Sequence, residues 1–323
     1  MRESRDLAIF RDLAPGEESF REAILIGLGK RQKEIPCRFL YDARGSALFE
    51  AICELPEYYP TRTETAILEE SAAEIATLIG PGCQLGEFGS GASRKVRTLL
   101  HEFDAPSGYV AIEISREPLR EAADALAADF PDLPIVAVCA DYTRPLDLAH
   151  FPAAPGRRLG FFPGSTIGNF TPPEAVEFLA GSRQVLGFDG AMLVGVDLQK
   201  DPAILHAAYN DAQGVTAEFN LNLLERINRE LGGDFQRARF AHDAVYNEAA
   251  GRIEIYIRSL ADQIVTVAGR TISFAEGERI HTEDSWKYTI DGFHRLAARA
   301  GFRPVRTWTD RNRLFSLHFL SVA

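Results

Sequence analysis

The sequence predicts an α/β protein: a doubly wound, Rossmann-like sheet with an inserted α+β domain. Three observations predict it. Short apolar runs recur near residues 84–88, 108–113, 134–139, 158–162 and 190–197, with helical segments between them near 93–103, 115–129 and 172–187. Strands that alternate with helices build βαβ units and hence a parallel sheet. The first run leads into Glu87-Phe88-Gly89-Ser90-Gly91-Ala92-Ser93-Arg94-Lys95, a glycine turn that opens a helix. Two extended stretches near 302–309 and 313–321, linked by Asp310-Arg311-Asn312, close the chain as an antiparallel pair.

The elements follow in order. Glu17 to Gly29 carries Phe20, Ile24, Leu25 and Leu28 on one helical face. Leu40 to Ser46 is a turn signal, Ala47 to Cys53 resumes a helix, and Leu55-Pro56-Glu57-Tyr58-Tyr59-Pro60 breaks it. Thr63 to Ile79 is a long helix stopped by Pro81-Gly82. The alternation then runs to about residue 197 and is interrupted over 200–285. There Ala203 to Leu231 reads as helix, and Val245 to Leu260 and Gln263 to Phe274 read as strands, with alternation in Arg252 to Arg258. A helix near 285–300 resumes the sheet fold. The expected domains are 61–199 plus 286–323 for the Rossmann-like part, and 1–60 plus 200–285 for a second, substrate-binding domain.

Composition narrows the function. The net charge of −11, from 35 basic and 46 acidic side chains with no basic run of five, argues against a nucleic-acid partner. Four cysteines without Cys-x-x-Cys spacing suit a reducing cytoplasm. No apolar run approaches the ~20 residues of a membrane span. Met1-Arg2-Glu3-Ser4-Arg5-Asp6 is too charged to lead a signal peptide. The expectation is a cytoplasmic protein, taken as a monomer, working on a small molecule.

The glycine turn acquires meaning from two acids. Glu113 ends the run Tyr109-Val110-Ala111-Ile112, and Asp141 follows Ile135-Val136-Ala137-Val138-Cys139. Glycines let a backbone approach a ligand closely; an acid after the second strand accepts from ribose hydroxyls, and one after the third from an adenine amine. This is an S-adenosylmethionine pattern, with methyl transfer as the chemistry. A dinucleotide site would want a third glycine where Arg94 stands; a dehydrogenase using Glu113 is the alternative, and it gives Asp141 no role.

Other residues carry two readings each. Asn169, in Pro163-Gly164-Ser165-Thr166-Ile167-Gly168-Asn169, follows the fourth strand, where ligands bind; it could equally cap the helix opening at Pro172-Pro173. Tyr41, Tyr58 and Tyr59 could touch substrate or simply pack. Glu283 and Ser285 could bind substrate, or start a helix with Thr282 as its N-cap. The seven histidines show no ligand spacing such as His-Glu-x-x-His, so no metal is expected. No Gly-x-Ser-x-Gly elbow is present.

Taken together, the chain resembles the L-histidine Nα-methyltransferases of ergothioneine biosynthesis from about residue 20 to its end. The most specific blocks are Phe39 to Phe49, Leu55 to Glu64, Pro163 to Asn169 and Phe219-Asn220-Leu221-Asn222. The resemblance implies an S-adenosylmethionine-dependent enzyme that trimethylates the α-amine of histidine to hercynine. It implies cofactor contacts at Gly89, Gly91, Lys95, Glu113, Asp141 and Tyr142. Glu113 stands where Asp is also found, and Tyr142 where relatives often carry Phe. It implies Tyr58 and Asn169 around the amine, Tyr209 on the carboxylate, Glu283 and Ser285 on the imidazole, and Tyr41 near the reacting nitrogen, with Tyr41 and Tyr58 as the catalytic pair. The rivals are a family member acting on another aromatic amine and a catalytically silent cofactor-binding module.

Overall fold

A computed structural model of the chain describes residues 9–13, 20–91, 94–144 and 155–323. In chain order the strands are β1 (Ile9–Asp12), β2 (Lys33–Glu34), β3 (Gln84–Phe88), β4 (Gly108–Glu113), β5 (Ile135–Cys139), β6 (Arg158–Phe162) and β7 (Ala191–Asp197). They continue with β8 (Phe240–Asn247), β9 (Arg252–Ser259), β10 (Gln263–Val267), β11 (Arg270–Phe274), β12 (Arg279–Trp286), β13 (Phe302–Thr309) and β14 (Phe315–Val322). The chain divides into two units. The described residues of Met1–Gly16, Pro60–Leu198 and Tyr288–Ala323 form the first; Glu17–Tyr59 and Gln199–Lys287 form the second.

The first unit is built on an eight-stranded sheet in the order β1-β5-β4-β3-β6-β7-β14-β13. β1 to β7 within it run parallel, and β14 is antiparallel to both its neighbours. Every residue of β3, β5 and β7 is buried, as a parallel sheet covered on both faces requires. The helix Tyr59–Ile79 lays Ile67, Leu68, Ile75 and Ile79 into a core with Leu85, Phe161, Leu193 and Phe315. Burying each such side chain is worth about 1.5–3 kcal/mol. The winding reverses between β3 and β6, and ligands of such sheets bind beyond the carboxyl ends of the strands at that switch point. The glycine turn after β3 stands there.

The second unit pairs a four-stranded sheet, β2-β12-β9-β8, with helices, and adds the hairpin β10-β11. β9 alternates: Ile253, Ile255 and Ile257 are buried, while Arg252, Glu254, Tyr256 and Arg258 are partly exposed. The helix Val215–Leu231 packs on β8, β9 and the helix Ala43–Cys53.

Four expectations are corrected. Residues 1–60 do not belong as a block to the second unit, because Ile9–Asp12 extends the large sheet by pairing with β5. A four-residue edge strand is too short to show a period. The helix expected over Ala203 to Leu231 is two helices, Pro202–Tyr209 and Val215–Leu231. Asp211 breaks it by accepting the Val215 and Thr216 N–H groups, both at 2.8 Å. Val245 to Leu260 spans two strands, β8 and β9, and Gln263 to Phe274 is a hairpin of two. Last, residues 279–286 are a strand, and the following helix begins at Ile290 with Thr289 as its cap.

Candidate active site

The residues expected at the cofactor gather in the first unit. After Phe88 the chain turns through Gly89 (φ +76°) and Gly91 (φ +44°), a region that strains any other residue. The Gly89 N–H donates to the Ile112 carbonyl at 2.8 Å, pinning the turn to the end of β4. A Cβ on Gly91 would meet nothing within 4 Å, so the turn faces open space. Ala92 and Ser93, also in this motif, lie outside the described residues. Glu113 accepts from the N–H groups of Ile114 (2.8 Å) and Ser115 (3.3 Å), and the Gly91 N–H also reaches its carboxylate. Burial pushes the Glu113 carboxyl up, and those donors oppose the shift. Beneath the turn, buried Glu87 accepts from the Tyr109 hydroxyl at 2.5 Å, and burial lifts its carboxyl to about 8.

Asp141 is set by its own turn, accepting from the Thr143 N–H (3.0 Å) and hydroxyl (2.6 Å). The Tyr142 ring packs edge-on against Phe162 and Phe178, with centroids 5.8 and 6.1 Å away. A Cβ on Gly89 would stand 3.6 Å from that ring. An open glycine turn, an acid touching it and an aromatic platform beside it therefore share the ends of adjacent strands.

Lys95 is placed differently from a simple ligand contact: its ammonium pairs with Glu64 of the helix Tyr59–Ile79. Glu64 is fully buried and also accepts the Gly164 N–H, at 3.0 and 2.8 Å from its two oxygens. A Cβ on Gly195 of β7 would lie 1.9 Å from Glu64 Oε1, so only glycine leaves room for this carboxylate. One acid thus ties the helix after the glycine turn to the loop after β6. That loop leads through Ser165, whose hydroxyl accepts the Asp197 N–H at 2.9 Å, into a 3-10 turn, Thr166–Asn169. Asn169 is not the helix cap; Thr171 is, its N–H and hydroxyl both donating to Glu174.

Of the residues expected at the amino acid, Asn169 stands in the first unit, while Tyr41, Tyr58, Tyr209, Glu283 and Ser285 gather in the second. Tyr41 follows a 3-10 turn and precedes Asp42, which caps the helix Ala43–Cys53 through the Gly45 N–H. Its ring meets Phe49 and Phe219, with centroids 5.6 and 5.4 Å away. Buried Tyr58 lies 6.3 Å from both Phe49 and Tyr209. Its phenol is held well above its ordinary pKa by burial and by the Tyr209, Cys53, Tyr41 and Glu283 side chains around it. The Tyr209 hydroxyl and Ser285 Oγ are 2.8 Å apart. Glu283, two residues before Ser285, is raised to about 7 by burial, against the pull of Lys287 and His281.

A bulge at Thr282, where β12 shifts register on β9, sets Glu283 and Ser285 opposite Ile255 and Ile253. Thr282 is held by Asn220 Oδ1 (2.8 Å), and the Asn220 amide also donates to His242 Nδ1 (3.0 Å). Burial depresses His242, so the ring is neutral and its Nε2–H donates to the Tyr209 carbonyl at 2.9 Å. Asn220 therefore aligns Tyr209 with the Glu283 segment. Asn222, two residues on, donates to the Asp42 carboxylate at 2.8 Å beside Tyr41. The Phe219 to Asn222 block is a scaffold for the site.

Sequence reasoning missed Lys287. It is 2% exposed, and its ammonium donates to the Tyr209 hydroxyl (2.7 Å) and Ser285 Oγ (2.8 Å). The signal was present: Glu283, Ser285 and Lys287 alternate at strand period, which a helix-start reading of the segment hides. Glu64 closes the Leu55 to Glu64 block, and only its contacts with Lys95 and Gly164 give it a role. Among the described residues no three metal-ligating side chains come together, and no helix is long and apolar enough to cross a membrane.

Comparison with known proteins adds a family. The family model described as a histidine-specific, SAM-dependent methyltransferase matches residues 20–322. A histidine N-alpha-methyltransferase of Mycolicibacterium smegmatis is 41% identical over 298 residues, covering 91% of this chain and 92% of that protein. Its counterpart in Mycobacterium tuberculosis is 39% identical over 307 residues, 94% of each chain. Ergothioneine biosynthesis protein 1 of Neurospora crassa is 36% identical over 299 residues, 90% of this chain and 33% of that protein.

Proposed function

Because this chain belongs to the family of histidine-specific, S-adenosylmethionine-dependent methyltransferases, we propose that it methylates the α-amine of L-histidine three times, giving hercynine for ergothioneine biosynthesis. The observation that carries the reading is Glu283 and Ser285 on one face of a strand, beside Tyr209 and within the electrostatic reach of Tyr58. Neutral imidazole offers one donor and one acceptor. Glu283 takes the ring N–H. Ser285, whose oxygen accepts from Lys287, turns its O–H to the other ring nitrogen. Buried polar groups like these reject a side chain that would leave them unpaired.

The open glycine turn, Glu113 and the Tyr142 platform fit S-adenosylmethionine: Glu113 for the ribose hydroxyls, Asp141 and Tyr142 for adenine, Gly89 and Gly91 for close approach. Lys95, fixed by Glu64, braces that turn and is assigned to the same ligand. When bound, the cofactor supplies a methyl made electrophilic by its sulfonium. The protein's part is to orient a neutral amine and keep water away. Tyr58 stays a neutral phenol, so it orients the amine by hydrogen bonding rather than acting as a phenolate base. Tyr41, on the same aromatic wall, shares that role. We place the enzyme in the cytoplasm, a reading supported by four cysteines that form no disulfide, and take it as a monomer, which light scattering checks.

Incubation with S-adenosylmethionine and L-histidine should yield a product heavier by three methyl groups, all on the α-nitrogen by NMR. A ring-methylated main product, or turnover of tryptophan or tyrosine but not histidine, would overturn the reading.

A further inference from the structure

We infer that Lys287 is the counter-charge for the α-carboxylate of the substrate, and thereby the residue that selects a free amino acid over an amine; this rests on the histidine methylation proposed above. Lys287 is 2% exposed, and an ammonium is costly to remove from water. Its ammonium donates to the hydroxyls of Tyr209 and Ser285, at 2.7 and 2.8 Å. Those hydroxyls are also 2.8 Å from each other, so the three groups form a closed triangle rich in donors. With the Ser285 O–H turned to the ring, the Lys287 ammonium and the Tyr209 O–H are the donors for a carboxylate, the substrate group that only accepts.

Charge points the same way. The form of an α-amino acid that can be methylated has a neutral amine and an ionised carboxylate, a net negative charge. Glu283 brings a second negative charge to the same residue set. Lys287 already acts on Glu283, lowering its pKa against burial. The Lys287 ammonium offsets that charge beside the Tyr209 and Ser285 hydroxyls. The sequence of alternate residues Glu283, Ser285 and Lys287 thus addresses ring and carboxylate from one strand.

The test compares L-histidine with histamine, which lacks the carboxylate. In Lys287→Met, kcat/KM for histidine should fall by about 30-fold more than that for histamine, the loss common to both reporting the Ser285 contact with the ring and the excess the lost partner of the carboxylate. Lys287→Arg should recover part of the preference. A native circular dichroism spectrum and a cooperative thermal transition show that the variant is folded. Independently of any variant, wild-type enzyme should use L-histidinamide, uncharged at that position, at least about 30-fold less well than histidine. An equal loss for histidine and histamine in Lys287→Met, or wild-type enzyme indifferent between histidine and histidinamide, would overturn the assignment. Failure of wild-type enzyme to methylate histidine would remove the function itself; turnover with selectivity indifferent to position 287 removes this inference alone.

Discussion

Glu283 carries the most information of any single residue. Its proposed role is to accept the imidazole N–H, and Glu283→Ala should cost about 2–4 kcal/mol in kcat/KM for histidine, a bond to a charged acceptor being lost. Because it lies in β12 and starts no helix, the same change should move Tm little. Its pKa gives a second test. The carboxyl is raised from 4.5 to about 7, so the folded state holds the proton more tightly than the unfolded state does. Stability from this group is therefore lost as pH rises between those values. Glu283→Gln, which never ionises, should gain stability relative to wild type across that window in urea titrations at stepped pH. At Gly91 the φ of +44° and the open space beyond predict that Gly91→Val abolishes S-adenosylmethionine binding by calorimetry while circular dichroism stays native; normal affinity in the folded variant would sink the cofactor assignment.

Two elements behave as more than supports. The Thr282 bulge re-aims β12, and Asn220 of the helix Val215–Leu231 holds it in place. In the first unit, Glu64 joins the glycine-turn helix to the loop after β6 and occupies the space above Gly195. Glu64→Gln leaves the Lys95 ammonium without its anion and should destabilise by about 3 kcal/mol, the usual cost of breaking a buried pair. S-adenosylmethionine affinity should drop as well. Lys95→Met should behave similarly, and the double variant should cost far less than the sum in a denaturation cycle. Additive effects would show that the pair does not act as a unit. Gly195→Ala should reproduce the Glu64→Gln phenotype from the opposite side of the contact.

For the whole molecule, the clearest pH handle is a histidine in the large sheet. His318 of β14 is fully buried, with its Nε2 2.8 Å from Ser316 Oγ and its Nδ1 3.2 Å from His294 Nε2. Burial first, and the His294 charge second, hold it down from 6.5 to about 3. The folded state keeps it neutral while the unfolded chain protonates below 6.5. Stability is thus fully present above 6.5 and declines as pH falls towards about 3. The slope from this one proton is about 1.4 kcal/mol per pH unit, and His318→Gln should flatten it in acid titrations of unfolding free energy. An unchanged slope would move the acid sensitivity elsewhere.

What the sequence determined by itself was whatever its local pattern encodes. β3, β4, β5, β6 and β7 were legible because strands buried on both faces must be apolar runs. The placement of Gly89, Gly91, Glu113 and Asp141 at strand ends was legible because each ends or directly follows one of those runs. Tyr41, Tyr58, Tyr209 and Ser285 entered through resemblance alone; no period or spacing distinguished them from packing residues. Tertiary structure decided the rest. His281 to Ser285 is polar, and a polar strand at a site looks like a helix cap until its partner strand β9 is known. β1 is four residues whose only reason to be a strand is β5. Glu64 finds Gly164 one hundred residues away, and Lys287 finds Tyr209 seventy-eight away. Charged groups are buried only when paired, and the pairing is a property of the folded chain, not of any window along it.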